Sequence, residues 1–328
     1  MAEKFKAMIV AEQPEKKFSR TIGHRAISDL PEGPLLIKVQ YSSLNYKDAL
    51  SATGNRGVTR NFPHTPGIDA AGAVIEDATG TFKPGDQVVV TGWDLGMNTA
   101  GGYGEYIRIP AEWAIALPKG LSLRDSMILG TAGFTAGLSV HALAGRVATD
   151  AGDILVTGAT GGVGSVAVAL LAKAGYRVVA VTGKADQADF LKGLGASEVV
   201  TREAVMENAD RPMMKERWAG AVDVVGGQML AAILKSTRCG GTVTCCGLVG
   251  SPDLPVNVFP FILRGVSLLG IDSVQCPAEL RLAVWNKLAG EWKIDLESLV
   301  KEVALEELED SIHAILKGEL RGRVLVKI

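Results

Sequence analysis

The chain has 328 residues and a mass of 34.4 kDa, about twice an ordinary domain of ~150 residues, so two domains are expected. Hydrophobic residues make up 47% and charged residues 21%, which excludes a disordered chain. Its 34 basic and 36 acidic side chains give a net charge of -2, so there is no basic footprint for nucleic acid or an anionic membrane surface. The first third then reads as short strands split by Pro/Gly turns: Ala7–Val10, Leu35–Tyr41, Ala70–Glu76, Gln87–Thr91, Gly104–Pro110 and Ala114–Pro118. That spacing predicts a compact β unit or partial barrel.

The pattern changes after Leu121. Ser122–Asp125 reads as a helix start, and the small apolar residues to Ala144 as one or two buried helices. Strands and helices alternate from there. Strands are predicted at Asp153–Thr157, Arg177–Thr182, Glu198–Val200, Ala221–Val225, Thr242–Cys246 and Val266–Ile271. Helices are predicted from Val163 to Gly175, at Ala185–Leu194, at Gln228–Lys235, at Ala278–Ala289 and near Leu305–Leu316, with a last strand at Val324–Ile328. Near-continuous apolar strands alternating with helices predict a parallel, doubly wound α/β sheet.

Two stretches free of Asp, Glu, Lys and Arg, Ser126–Gly145 and Ile154–Ala172, reach the roughly 20 residues of a membrane span. His141 in the first and the Gly and Thr content of the second point instead to buried elements of a soluble protein. Met1–Lys17 is charged throughout and has no signal-peptide core, so the cytoplasm is expected. The four cysteines, Cys239, Cys245, Cys246 and Cys276, form no C-x-x-C pair, which excludes a disulfide scaffold. Cys245 and Cys246 fall in a predicted buried strand, where cysteine acts as a small hydrophobe. His24, His64, His141 and His313 have no triad or metal spacing, and His313, beside Ile312 and Ile315, is read as packing.

The strongest motif is Ile154–Gly164, a strand, a glycine-rich turn and a helix start. Ala159, Gly161 and Gly164 occupy the three small-residue positions of a dinucleotide fingerprint. Glycine there lets the backbone of Thr160, Gly161, Gly162 and Val163 approach a pyrophosphate at a helix N-terminus. The next strand ends Val181-Thr-Gly-Lys184, with no carboxylate before Asp186. An NAD site would place an acid there. Thr182, Gly183, Lys184 and, beyond the third strand, Arg202 suit a 2′-phosphate and hence NADPH, a solvated surface lysine being the alternative for Lys184.

The chain resembles the medium-chain dehydrogenase/reductase superfamily. The residues that carry this are Gly67-Ile-Asp-Ala-Ala-Gly72, Gly85-Asp86, Gly101–Tyr106, Ala159–Gly164, Leu194-Gly-Ala196, Asp223-Val-Val-Gly226 and Gly240-Gly-Thr242. The resemblance implies a GroES-like β-rich catalytic domain over residues 1–122, a Rossmann NADPH-binding domain over 123–270 and a C-terminal return to the catalytic domain over 271–328. Zinc members bind their metal through a cysteine in the early loop and a Gly-His-Glu motif. Here these read Ser43–Asp48 and Gly67-Ile-Asp69, and no cysteine precedes Cys239, so the zinc-independent, quinone oxidoreductase-like branch is implied. Ser42–Ala49, Thr91–Met97, Gly101–Gly104, Gly130–Ala136 and Gly322–Lys327 are similar to the acryloyl-CoA reductase subfamily.

That resemblance implies NADPH-dependent reduction of the C=C bond of acryloyl-CoA to propanoyl-CoA: hydride adds to the β-carbon, and the resulting enolate is protonated at Cα. It also places the loop Asn45-Tyr-Lys-Asp48 beside the nicotinamide, with Tyr46 touching the cofactor and a candidate proton or hydrogen-bond donor. Asn45 and Asp48 are further catalytic candidates. The alternative is a capped loop with a packed tyrosine, in which Asp48 ties the loop down. Asp69 is read as structural. The resemblance adds Leu248, Ile262, Ser273 and Arg323 as cofactor contacts, a surface arginine being an equal reading for Arg323. A CoA thioester would need cations at its ADP end, for which Lys47, Arg56, Arg60, Arg264 and Arg281 are candidates, a solvated surface charge being the alternative for each. A quinone or enone reductase and a non-catalytic NADPH-binding protein stay open as other functions. A homodimer, paired through the strand Val266–Ile271, is expected.

Overall fold

The computed structural model describes residues 4–328. The chain divides into two compact units, one formed by residues up to 131 together with 299–328 and the other by 132–298. The return to the first unit thus begins at 299, not 271. The helix Ala278–Ala289 belongs to the second unit because its Trp285 stacks on Phe134 (ring centroids 5.9 Å apart) and its Arg281 lies over the same ring. At the other crossing the chain changes unit inside a helix, after Thr131, rather than at 122.

In the first unit, β1 (Lys4–Gln13) and β2 (Lys17–Ala26) pair as a separate antiparallel ribbon. β2 escaped the sequence reading because most of its positions are only partly buried, leaving no apolar alternation. β3 (Leu35–Leu44) leads into α1 (Tyr46–Ala52). β4 (Asp69–Asp77), β5 (Gln87–Thr91), β6 (Tyr106–Ile109) and β7 (Ala114–Ala116) follow. α2 (Leu123–Ala144) starts at the expected box: Ser122 Oγ accepts from the Asp125 N–H (3.0 Å), and the Ser122 N–H donates to Asp125 (3.3 Å). Gly130, with φ +52°, breaks α2 in two.

The second unit is a six-stranded parallel sheet. Along the chain it contributes β8 (Ile154–Val156), α3 (Gly162–Lys173), β9 (Val178–Val181), α4 (Ala188–Gly193), β10 (Glu198–Val200), α5 (Arg202–Met206) and β11 (Trp218–Asp223). α6 (Gly227–Ser236), β12 (Thr237–Cys245), α7 (Phe259–Arg264), β13 (Ser267–Gly270) and α8 (Ala278–Ala289) complete it. The strand order is β10-β9-β8-β11-β12-β13, the doubly wound order of a dinucleotide-binding sheet. β13 is an edge strand, as expected.

Back in the first unit, β14 (Val300–Ala304) runs parallel to β15 (Arg323–Lys327), with α9 (Leu308–Leu316) between them. The resulting seven-stranded sheet has the order β14-β15-β3-β4-β5-β7, with β6 also pairing to β3. Met8, Leu44, Ala49, Tyr103, Ile312 and Val324 share one core there, so α1 packs between the hairpin and the C-terminal segment.

Of the two charge-free stretches, 154–172 resolves into β8, a turn and the start of α3. α2 has the length and apolarity of a membrane span, but 78% of its apolar window is buried inside the protein.

Candidate active site

The fingerprint turn lies where the sequence expects it, between β8 and α3. Gly158 takes φ +53°, and Gly161 donates its N–H to the Gly158 carbonyl (2.9 Å). A Cβ on Gly164 would lie 2.3 Å from the Gly158 oxygen and 2.8 Å from Ala159 Cα. Only glycine lets the first turn of α3 close on the loop, and the unspent N–H groups of that turn then face outward from a helix N-terminus. These residues fit a dinucleotide pyrophosphate. Asp223, at the C-terminal end of β11, locks the neighbouring turn by accepting from Thr157 Oγ1 (2.7 Å) and the Gly226 N–H (2.8 Å). Burial pushes its carboxyl above the usual range against those donors.

The end of β9 is held to this turn. Ala159 donates its N–H to the Val181 carbonyl (3.2 Å), and Thr182 donates its own to Val200 (3.1 Å). Arg202 opens α5, and its guanidinium lies against Gly183: a Cβ on that glycine would be 3.0 Å from Arg202 Cζ. The Lys184 N–H donates to Thr182 Oγ1 (3.0 Å). Thr182, Gly183, Lys184 and Arg202 therefore gather at one strand end, where the only charges among the four are cationic.

The remaining cofactor candidates divide. Leu248 follows β12 and lines a cavity of about 560 Å³ with Gly226, Cys245, Cys246, Leu254 and Ile271. Ser273, beyond β13, is buried and accepts from Thr135 Oγ1 (2.9 Å). Ile262 does not join these strand ends. It sits on α7, whose Arg264 reaches back to the carbonyls of Lys235 and Thr237 at the opposite end of β12, and its side chain is 68% exposed. Cys245 and Cys246 are half-buried rather than buried. Burial and Asp223 raise both thiols, Cys246 to about 12, so neither is a ready nucleophile.

In the first unit, Tyr46 is the first residue of α1 and is 45% exposed. Its neighbours are not. Asp48 is fully buried and accepts three N–H groups: Asn45 N (2.8 Å), Asn45 Nδ2 (3.1 Å) and Ile68 N (2.7 Å). It is thus the loop tie that the sequence left as the alternative. It does not reach solvent, so it is not placed to touch a substrate. The Asn45 amide also donates to Asp69 Oδ2 (2.7 Å), so its nitrogen is spent between two carboxylates. Asp69 further accepts from Ser43 Oγ (2.5 Å), Thr131 N (2.9 Å) and Thr131 Oγ1 (2.6 Å).

Arg323 is no surface arm. It is 3% exposed and donates Nε to the Ile128 carbonyl (2.8 Å) and Nη1 to that of Leu44 (3.3 Å). The structure makes it a buried cation beside Asp48 and Asp69, with Nη2 left without a hydrogen-bond partner. Ser43, Gly130 and Thr131 fall inside the family-like strings, but the sequence does not single them out as partners of Asp69. The positive φ that Gly130 needs was the available signal, hidden in an apolar helix pattern.

His313 corrects a sequence expectation: it is exposed and pairs with Glu309 (3.0 Å) instead of packing. His64 is buried, its Nε2 2.9 Å from the Gly96 carbonyl, and desolvation lowers its pKa. The oxygens of Asp48 and Asp69 are filled by N–H and O–H donors. Among the described residues no three His, Cys, Asp or Glu side chains converge as metal ligands. The donor set does not fit zinc.

Two family profiles match: the alcohol dehydrogenase GroES-like domain over residues 31–119 and the zinc-binding dehydrogenase domain over 162–289. The chain is 45% identical over 327 residues to the acrylyl-CoA reductase AcuI of Ruegeria pomeroyi, covering 99% of each chain. It is 48% identical over 303 residues, 92% of each, to a Bacillus subtilis protein described as the putative quinone oxidoreductase YhfP. The YhfP structure, solved with NAD bound, superposes with a TM-score of 0.97 over 100% of both chains. That of Escherichia coli K-12 YhdH with bound NADPH is 46% identical and superposes at 0.94 over 98% of this chain and 99% of that one. With its GroES-like and Rossmann parts in this order and relatives matching end to end, the chain belongs to the medium-chain dehydrogenase/reductase superfamily of oxidoreductases.

Proposed function

We propose that this chain is an NADPH-dependent reductase of the activated C=C bond of acryloyl-CoA and related short 2-enoyl-CoA thioesters. The observation that carries the cofactor is the cationic end of β9, where Arg202 lies against Gly183 and no carboxylate stands at the strand end. A 2′-phosphate accepts charge-assisted hydrogen bonds from such groups, whereas an NAD ribose asks for an acid. The end-to-end likeness to an acrylyl-CoA reductase supports the substrate.

The bound nicotinamide would supply hydride to the β-carbon. The chain's own residues do the rest. Thr160–Val163 bind the pyrophosphate, and Thr182, Gly183, Lys184 and Arg202 bind the adenosine end. Leu248 and Ser273 lie at the neighbouring strand ends. Tyr46, exposed at the start of α1, carries a phenol that can donate to the thioester oxygen or to Cα. Of the five cations named for a CoA tail, Arg264 spends itself on three backbone carbonyls and Arg281 is buried. Arg56 is paired to Glu12. Half-buried Lys47 and exposed Arg60 are the two left for a phosphate.

Oxidation of NADPH or NADH, followed by nicotinamide absorbance, tests the reading with acryloyl-CoA, crotonyl-CoA, free acrylate and a benzoquinone. Turnover of acryloyl-CoA with NADPH preferred is expected. Turnover of the quinone without the thioester would overturn it in favour of a quinone reductase, a second reading supported by the likeness to YhfP.

A further inference from the structure

The polar residues packed beneath α1 form a closed set. Asp48 and Asp69 are both 0% exposed, and the Asn45 amide bridges them (3.1 and 2.7 Å). Asp48 ties the turn into α1 to the chain leading to β4, holding the Asn45 N–H of the turn and the Ile68 N–H of that chain. Asp69 is the hub. It holds Ser43 on β3, Asn45 before α1 and Thr131 on α2 with one carboxylate. Gly130 makes the last contact available: its φ is +52°, and a Cβ there would lie 2.5 Å from Asp69 Oδ2 and 2.4 Å from Ser43 Oγ. The bend at Gly130 thus presents the Thr131 N–H to Asp69 as the capped start of a second helical segment. Every hydrogen bond to either carboxylate comes from an N–H or O–H donor, which is what an ionised carboxylate asks for. At Asp48, which accepts from N–H groups that cannot accept in return, protonation would turn an acceptor oxygen into a donor and evict one partner.

We propose that Asp48 and Asp69 are positioning residues of the reductase: as ionised carboxylates joined by Asn45, they fix the first turn of α1 and so hold the Tyr46 phenol where it donates. This rests on the reading of Tyr46 as the donor. Tyr46 itself is exposed and adjoins Asn45, so its backbone is set by the same turn. The charged and titratable groups facing Asp48 are Asp69 on β4, Arg323 on β15 and Tyr103 in the loop before β6. From α9, packed on α1, the buried faces are Leu308, Ser311 and Ile312, and Glu309 is turned to Arg20. Burial, then the charge of Asp69, pushes Asp48 up to about 7. The ionised state that orders the turn is therefore lost just below neutral pH.

The test is the pH profile of kcat for the wild type, Asp48→Asn, Asp69→Asn and Tyr46→Phe, with acryloyl-CoA and saturating NADPH. NADPH affinity and thermal unfolding serve as fold controls. The wild type is expected to lose kcat as pH falls through about 7. Asp48→Asn loses that limb together with about tenfold or more of kcat on the alkaline side. Asp69→Asn moves the limb to lower pH, because the charge that raises Asp48 is gone. A role confined to folding would move stability and leave the limb in place. An unchanged limb in Asp48→Asn, or wild-type kcat in both carboxylate variants, overturns the proposal. Wild-type kcat in Tyr46→Phe with the limb still moving in the other two overturns only the reading of Tyr46. Should a carboxylate variant not fold, infrared titration of the protonated-carboxyl band in the wild type decides: a midpoint that does not coincide with the kcat limb overturns the assignment.

Discussion

Replacing Asp48 with Asn tests the energetics of the buried cluster separately from its chemistry. Desolvation is the larger cause of the raised Asp48 pKa and the charge of Asp69 the second, while N–H groups from Ile68 and Asn45 oppose both. The shift runs from 3.8 to about 7. Between those values the folded chain binds a proton that the unfolded chain has released, so stability falls as pH rises through that window and is level above it. At about 1.4 kcal/mol per pH unit, ionising Asp48 costs the fold about 4 kcal/mol by neutral pH, a large part of a domain's net stability. An asparagine does not titrate. Its hydrogen bonds differ from those of the carboxylate by some constant amount, which drops out of the comparison. Urea unfolding of both proteins across about pH 4 to 9 should give a stability difference that grows in the variant's favour by up to about 4 kcal/mol, then stays flat. A flat difference would show that Asp48 keeps an ordinary pKa in the fold. A difference of opposite slope would show that its three donors outweigh burial and Asp69. Either refutes the reasoning.

Gly164→Ala should lose NADPH binding, because its methyl group meets the Gly158 oxygen at 2.3 Å; fluorescence titration of NADPH checks it. Arg202→Ala should raise the KM for NADPH about tenfold or more and leave that for NADH unchanged, the loss of one charge-assisted hydrogen bond to a phosphate. Lys47→Ala and Arg60→Ala should weaken acryloyl-CoA, in a salt-dependent way, and leave the acryloyl thioester of pantetheine unaffected, as steady-state kinetics with the two substrates would show. Limited alkylation at neutral pH, mapped by mass spectrometry, should mark exposed Cys239 before Cys246, whose thiol is pushed up to about 12.

The Rossmann unit was legible because its signals are local. A strand, a glycine turn and a helix occupy one short stretch, and the residues at the end of β9 lie next to each other in sequence apart from Arg202. The GroES-like unit was legible in its strands but not in its wiring. The motif Asn45–Asp48 stood out as polar residues in a loop, and the sequence alone could not tell a catalytic trio from a tied turn. The answer lies in partners far along the chain: Asp69, Thr131 and Arg323 are 24, 86 and 278 residues from Asn45. Burial decides between the readings, since a carboxylate at 0% exposure acts only through what it holds. The same point explains Arg323. Family resemblance gives it a cofactor, while packing gives it two backbone carbonyls and two buried acids. A buried guanidinium beside two carboxylates leaves the trio one negative charge in excess when both acids are ionised, and that excess is what Asp48 relieves by taking a proton. The polarity of the loop was written in the sequence; which member is left exposed and which are buried and bonded follows from the three strands and two helices that converge on Asp69.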